Sequence, residues 1–396
     1  MRIQRIALVI ASAAILAACG PATVSATTSK ASTIALGSGA TTPTARPVSK
    51  STSATDAPAP APSPAPFSFM PLLVAFDSEN AVLMLASGQT TGPMPSGPVI
   101  GGDGTLTISG PLGGRMIGTD DHQIAGPSGP VSIVAVSPDG TLTTLEKSVA
   151  GSPSVVGRDD GRAWAWAVQT NSPACGSSTG AAFDIYTDDG NGARKIGSAS
   201  FGAGVTQVSL VAWTAAGIVA SGRNDCGSFA ASTLAISPAI LINPATGVAT
   251  GLASRIGTDC NFQDIADDGT IACSVGGSAP GIRVIAPNGK QTNYSIPGLT
   301  AQQCINGGVA LSSDASFAAV SLSCPPTATG TQLVLLDLTS GHVVTTPAAD
   351  DLAPTLWTPD DMLIATDFGR GKTYSVTPWG LVTLINATYA AQTSVG

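Results

Sequence analysis

Apolar residues along this chain fall in short runs of about four to eight, broken by Gly, Pro, Asn and Asp; runs of this length bounded by turn residues predict β-strands. The runs come in pairs around a short turn, and two kinds of pair alternate. In one kind an apolar strand ends in Pro-Asp-Gly, Pro-Asn-Gly or Thr-Gly. Ile133-Val-Ala-Val-Ser-Pro-Asp-Gly-Thr-Leu142 and Ile282-Arg-Val-Ile-Ala-Pro-Asn-Gly-Lys290 are the clearest, and Leu241–Val248, Leu333–Val343, Tyr374–Val382 and Phe183–Gly190 follow the same form. Leu72–Val82 reads as a seventh. In the other kind both strands are apolar on both sides of a tip such as Asp-Asp-Gly. Ser154–Trp166, Leu210–Ala220, Phe262–Ala272, Val309–Val320 and Leu356–Ala365 are examples. Gly supplies positive φ at such tips and Pro presets the turn.

One hairpin of each kind makes a four-stranded antiparallel unit, and the units recur at roughly 40–55 residues, the spacing of propeller blades. The "strand, Ser/Thr-Pro-Asp-Gly or Asp-Asp-Gly, strand" hairpins resemble those of WD40-like and TolB-like β-propellers. The likeness runs well over 130–386 and poorly over 67–130, and the Trp-Asp dipeptide typical of WD40 repeats is absent. The fold class this implies is all-β: a propeller of four-stranded blades, seven fitting the spacing best and six or eight also consistent with it. A strand near Leu72–Phe76 is expected to complete a sheet with the C-terminal strands and close the ring. Composition agrees. Only 11% of residues are charged, while 46 are Gly and 29 Pro, too few charges to cover the wet faces of amphipathic helices.

The N-terminus has a different pattern. Arg2 and Arg5 precede an apolar run, Ile6 to Leu16, interrupted only by Ser12; it is too short for a membrane span of about 20 residues. It ends in Leu16-Ala17-Ala18-Cys19, which resembles the lipobox of bacterial lipoproteins. That resemblance implies cleavage before Cys19 and acylation of its thiol with chains such as palmitate. Several acyl chains anchor a protein far better than one. Residues 1–18 then form the signal peptide and 19–66 a lipidated Ala/Ser/Thr/Pro-rich tether. The tether has too few large apolar residues to fold and would reach about 40 Å as a coil. Residues 67–396 form the propeller domain. The expected location is the cell envelope, extracytoplasmic, on either the inner or the outer membrane. The formal net charge of −8, with 17 Lys and Arg, argues against nucleic acid as a partner.

Export also frames the cysteines. Cys175, Cys226, Cys260, Cys273, Cys304 and Cys324 permit 15 pairings. Cys260 and Cys273 flank one hairpin, Cys304 and Cys324 flank another, and Cys175 and Cys226 each follow the second strand of their own hairpin. The expected disulfides are therefore 260–273, 304–324 and 175–226. With no Cys-x-x-Cys and two histidines, neither a metal site nor another cofactor is expected.

Candidate chemistry is sparse. Asp120-Asp121, Asp159-Asp160, Asp188-Asp189, Asp267-Asp268 and Asp360-Asp361 read mostly as turn residues. His342 sits in a hairpin tip and is expected to be solvated, and His122 follows Asp120-Asp121. Gly176-Ser-Ser-Thr-Gly180 matches a nucleophile-elbow pattern, but the chain continues as a strand where that motif needs a helix, so Ser178 reads as a loop residue. Trp164, Trp166, Trp213 and Trp357 read as inter-blade packing. Trp379, at a hairpin tip, is the tryptophan expected to be exposed and the candidate ligand contact. Two functions follow. One is a binding or scaffolding module for a protein or glycan; the other is a polysaccharide-acting hydrolase or lyase. The enzyme would need carboxylates such as Asp103, Asp120, Asp184, Asp225 or Asp264, with His122, converging at one mouth of the ring.

Overall fold

A computed structural model describes residues 72–76, 81–93, 106–121, 129–223, 238–257, 259–276, 280–297, 299, 305–322, 332–346, 352–367 and 369–392. The chain divides into two units, Met1–Pro62 and Ser63–Gly396, and every described residue belongs to the second. The expected signal peptide, the tether and Cys19 lie outside the described residues.

The described residues form seven four-stranded antiparallel sheets, the blades of a seven-bladed β-propeller. Six blades are contiguous in sequence, spanning Leu106–Val149, Ser154–Ser200, Gln207–Gly251, Cys260–Ser295, Ile305–Thr345 and Leu352–Asn386; we number them 2 to 7. Blade 1 is composite. Leu72–Phe76, Ala81–Leu85 and Thr90–Pro93 supply three strands, and Ala390–Gln392 pairs with Leu72–Phe76 as the fourth, at Val74 opposite Gln392 and Phe76 opposite Ala390. The ring closes as the sequence pattern implied. One detail differs: Leu72–Val82 is not an outer hairpin but the second strand of blade 1 and the start of the third.

The first strands of successive blades touch one another in blades 2 to 4 and 5 to 7, so these strands line the axis. The fourth strands, such as Gln291–Ser295 and Ala249–Gly251, are mostly exposed. In between, strands are apolar on both faces because both are covered. Leu72 and Val74 pack on blade 2, while their neighbours Leu73 and Ala75 pack on blade 7. The core is accordingly seven apolar clusters, one for each blade–blade interface. Partly buried polar groups stitch the same interfaces. The amide of Leu311 donates to Asp264 Oδ2 at 2.7 Å, and Trp357 Nε1 donates to the carbonyl of Ala310 at 3.0 Å. Asn386 Nδ2 donates to the carbonyl of Gly88 at 3.1 Å across the junction of blades 7 and 1.

Candidate functional site

Antiparallel order sends the turn after the first strand and the turn after the third strand of each blade to the same face of the ring. The Asp-Asp-Gly and Pro-x-Gly tips of the sequence therefore collect on one hairpin face, arranged as an inner and an outer circle. The loops joining second and third strands lie on the opposite face. In blade 1 the place of the inner hairpin is taken by the start of Leu72–Phe76 and the end of Ala390–Gln392.

The inner circle is acidic. Asp159 and Asp160 come from blade 3, Asp267 and Asp268 from blade 5, Asp314 from blade 6, and Asp360 and Asp361 from blade 7. Neighbouring tips are tied together: the amide of Ala215 donates to the carbonyl of Asp267, and the amide of Asp267 to that of Ser313, both at 3.1 Å. Each pair divides its work. Asp160 holds Arg158 by an ion pair at 2.7 Å and accepts from the amide of Arg162. Asp268 accepts from the amide and hydroxyl of Thr270, and Asp360 from the hydroxyl of Thr358. These are the expected turn residues. Asp159, Asp267 and Asp361 make no side-chain hydrogen bond among the described residues. Desolvation among the crowded tips pushes the Asp159 carboxyl up to about 6, helped by the charges of Asp267 and Asp160. Asp267 is raised by desolvation and by Asp268, and Asp361 by desolvation and by Asp314 and Asp360. Among the described residues no three His, Cys, Asp or Glu side chains come together as metal ligands.

On the outer circle, between blades 6 and 7, lies a groove of about 540 Å³ walled by Asp337, Ser340, His342, Val344, Pro378 and Trp379. Trp379 is 74% exposed. Its ring stands edge-on to Phe317 at 6.4 Å, and Phe317 stacks on Trp357 at 5.9 Å. Trp357 is in turn fixed by its bond to Ala310, so Trp379 is an exposed ring on a rigid aromatic support. Leu381, just before the outer strand of blade 7, and Leu384 within it are also exposed. Across the groove, Asp337 accepts hydrogen bonds from the amides and hydroxyls of Thr339 and Ser340, which hold its carboxyl well below the usual range. The groove therefore has an apolar aromatic wall and an anionic one, with His342 between.

The other sequence candidates disperse. Asp264 is absorbed in the latch to Leu311, and burial pushes its carboxyl up to about 6. Asp184 forms an ion pair with Lys195 at 2.7 Å and accepts from Ser198. Asp120 ends the second strand of blade 2, at the face opposite the hairpins. The three that can be placed do not converge at one mouth; Asp103, Asp225 and His122 lie outside the described residues. Ser178 sits in a loop between two strands, beside a hydrogen bond of Ser177 to Thr179. Cys260 and Cys273 form a disulfide with Cα atoms 5.5 Å apart. Cys175 is also disulfide-bonded. Cys226, Cys304 and Cys324, and with them the expected pairings 304–324 and 175–226, lie outside the described residues. The sequence reading missed that in the three inner tips with paired aspartates, those of blades 3, 5 and 7, one aspartate is left without a side-chain turn bond among the described residues. Its only trace was the doubling of Asp in those tips.

No family model and no curated protein matches the sequence. Solved structures do resemble the fold. TolB from Acinetobacter baumannii is 14% identical with a TM-score of 0.40, over 74% of this chain and 67% of that one. An acylaminoacyl peptidase from Pyrococcus horikoshii is 13% identical with a TM-score of 0.48, over 81% of this chain. This chain spans about half of that peptidase, 53% of its length. An oligogalacturonate lyase from Vibrio parahaemolyticus is 9% identical with a TM-score of 0.42, over 82% and 97% of the two chains. These are likenesses of fold.

Proposed function

We propose that this chain is an extracytoplasmic lipoprotein, anchored through Cys19, whose propeller holds a protein or glycan partner in the groove around Trp379. The observation that carries the reading is the exposed, rigidly braced Trp379 ring beside a fixed anionic wall. A large ring left in water on an ordered support is preorganised for contact: covering it removes apolar surface worth about 2 kcal/mol, with little ordering cost. Exposed tryptophans of this kind dominate binding energetics when they sit at the centre of a contact.

The test uses the full-length protein in detergent, with envelope glycans and envelope proteins of the producing cell as ligands. Trp379→Ala is expected to weaken retention at least tenfold while leaving the unfolding midpoint within about 0.5 kcal/mol, as for a surface substitution. Retention unchanged by Trp379→Ala counts against the groove. The anchor is tested separately with an alkyne-bearing palmitate analogue: Cys19→Ala should lose the label and leave the membrane fraction. Label on Cys19→Ala would contradict the lipoprotein reading.

One observation favours a second reading, a polysaccharide-acting hydrolase or lyase. Asp159, raised to about 6 and electrostatically coupled to Asp267, lies in the range of an acid–base group. Depolymerisation abolished by Asp159→Asn and untouched by Trp379→Ala would move the function to the inner circle.

A further inference from the structure

Blade 3 meets blade 4 across a second cleft, separate from the Trp379 groove and about 330 Å³ in volume. Its character follows from strand alternation. In blade 3, Trp164, Trp166 and Tyr186 face blade 2, while Ala165, Phe183 and Ile185 face blade 4. Thr187 continues the second series, so its side chain points at blade 4, where every earlier member of the series is apolar. Thr187 is 3% exposed and its hydroxyl has no hydrogen-bond partner among the described residues. A buried hydroxyl in that state costs about 1–3 kcal/mol. Valine would fill the same volume without that cost.

Arg194 stands directly opposite Thr187 in the antiparallel register, which puts the two side chains on one face with Cβ atoms about 5 Å apart. Both line the cleft. The other guanidinium there, Arg158, is committed: it lies 5.7 Å over the Trp213 ring and binds Asp160 through two nitrogens. Arg194 makes no hydrogen bond or close ion pair among the described residues. Asp189, also on the wall, accepts both bonds from Asn191 on Oδ1, at 3.2 and 3.0 Å, and these bonds, with the charge of Arg194, hold its carboxyl below the usual range. The cleft thus contains two donors on one face, a hydroxyl and a guanidinium, neither of them in a hydrogen bond among the described residues.

We propose that this cleft binds the oxyanion of a small ligand, a carboxylate or a phosphate, received between the Thr187 hydroxyl and the Arg194 guanidinium. A two-oxygen anion accepts from both donors at once, and the charge-assisted bonds are about twice as strong as neutral ones. The space beyond, against Trp213 and Pro244, admits a body of modest size.

The test is thermal unfolding of the full-length protein in detergent with inorganic phosphate or succinate, against sodium chloride of equal ionic strength. Wild type is expected to gain roughly 3 °C at a tenfold excess of anion over its Kd. Thr187→Val and Arg194→Gln are each expected to abolish that gain. In the absence of anion, Thr187→Val should unfold no lower than wild type, because it deletes a hydroxyl that has no partner. A gain with phosphate alone identifies phosphate as the source, and a gain with succinate alone a carboxylate. Equal gains in wild type and both variants, or no gain with either anion, would overturn the proposal. Arg194 is exposed on an outer strand, so its variant keeps the test decisive should Thr187→Val fail to fold.

Discussion

Five carboxyls among the described residues hold their protons more tightly than free side chains do, Asp267 and Asp361 among them and three others further. Asp159 and Asp264 are raised to about 6, and Glu146 to about 7 by burial and by the neighbouring carboxylate of Asp188. Each is raised above its unfolded value, so the folded state gains a proton relative to the unfolded one between about pH 4 and 7. Their contribution to stability is complete below about pH 4 and is lost as the pH rises through 6 to 7. The urea midpoint is therefore expected to be higher at pH 5 than at pH 8. Asp159→Asn should flatten part of that slope, by less than about 1 kcal/mol because the side chain keeps contact with water. A midpoint that rises from pH 5 to pH 8 would contradict this. Little of it could be read from the residues in order. A doubled Asp announces a turn but not which aspartate closes it: the second does so in the Asp-Asp-Gly tips, at Asp160 and Asp268, and the first at Asp360, where Met362 stands in place of Gly. At Asp361 the backbone sits at φ 58°, a conformation that Gly announces and Asp does not.

Among elements, the hairpin tips decide how closely blades approach. Gly247 has φ 69°, and a Cβ there would run into the carbonyl oxygen of Ile196 in blade 3. Gly289 has a similar φ of 82° but faces open space. Gly289→Ala is expected to cost about 1 kcal/mol, the backbone penalty alone, and Gly247→Ala clearly more, because blade 3 must also move. Urea unfolding of the two variants measures the difference, and equal costs would mean that the contact with Ile196 is slack. Hairpins of this kind were legible because Pro-Asn-Gly and Thr-Gly specify turns locally. Blade 1 and the first hairpin of blade 2 were not. Leu106–Leu112 turns at Gly113-Gly114 without a Pro or Asp signature, and blade 1 is split between the two ends of the chain. Strands buried on both faces, such as Trp164–Gln169, lack the alternation that marks a one-sided strand.

At the scale of the molecule, stability depends on closing the ring. Three residues, Ala390–Gln392, supply the inner strand of blade 1, and Ala391 also accepts from the hydroxyl of Thr366 in blade 7. Removing residues 388–396 is expected to open the junction of blades 1 and 7 and to expose their apolar cluster of Leu73, Met84 and Ile364. Hydrogen exchange should then accelerate in those two blades before the others; uniform exchange would contradict a ring held by that strand. The same ring sets the hairpin tips on one face and leaves Trp379 standing at the rim, where the proposed partner would meet it. That placement depends on contacts between Trp379, Phe317 and Trp357, which lie far apart in sequence; only the exposed hairpin tip itself was legible. The most direct test of the account is a photoreactive side chain placed at Leu381 beside the groove, or at Leu142 on the rim of blade 2, in the full-length protein on its own membrane. A discrete adduct at Leu381 that is absent at Leu142 and lost with Trp379→Ala is the predicted result. Equal adducts at both positions, or an adduct at Leu381 that survives Trp379→Ala, would contradict it.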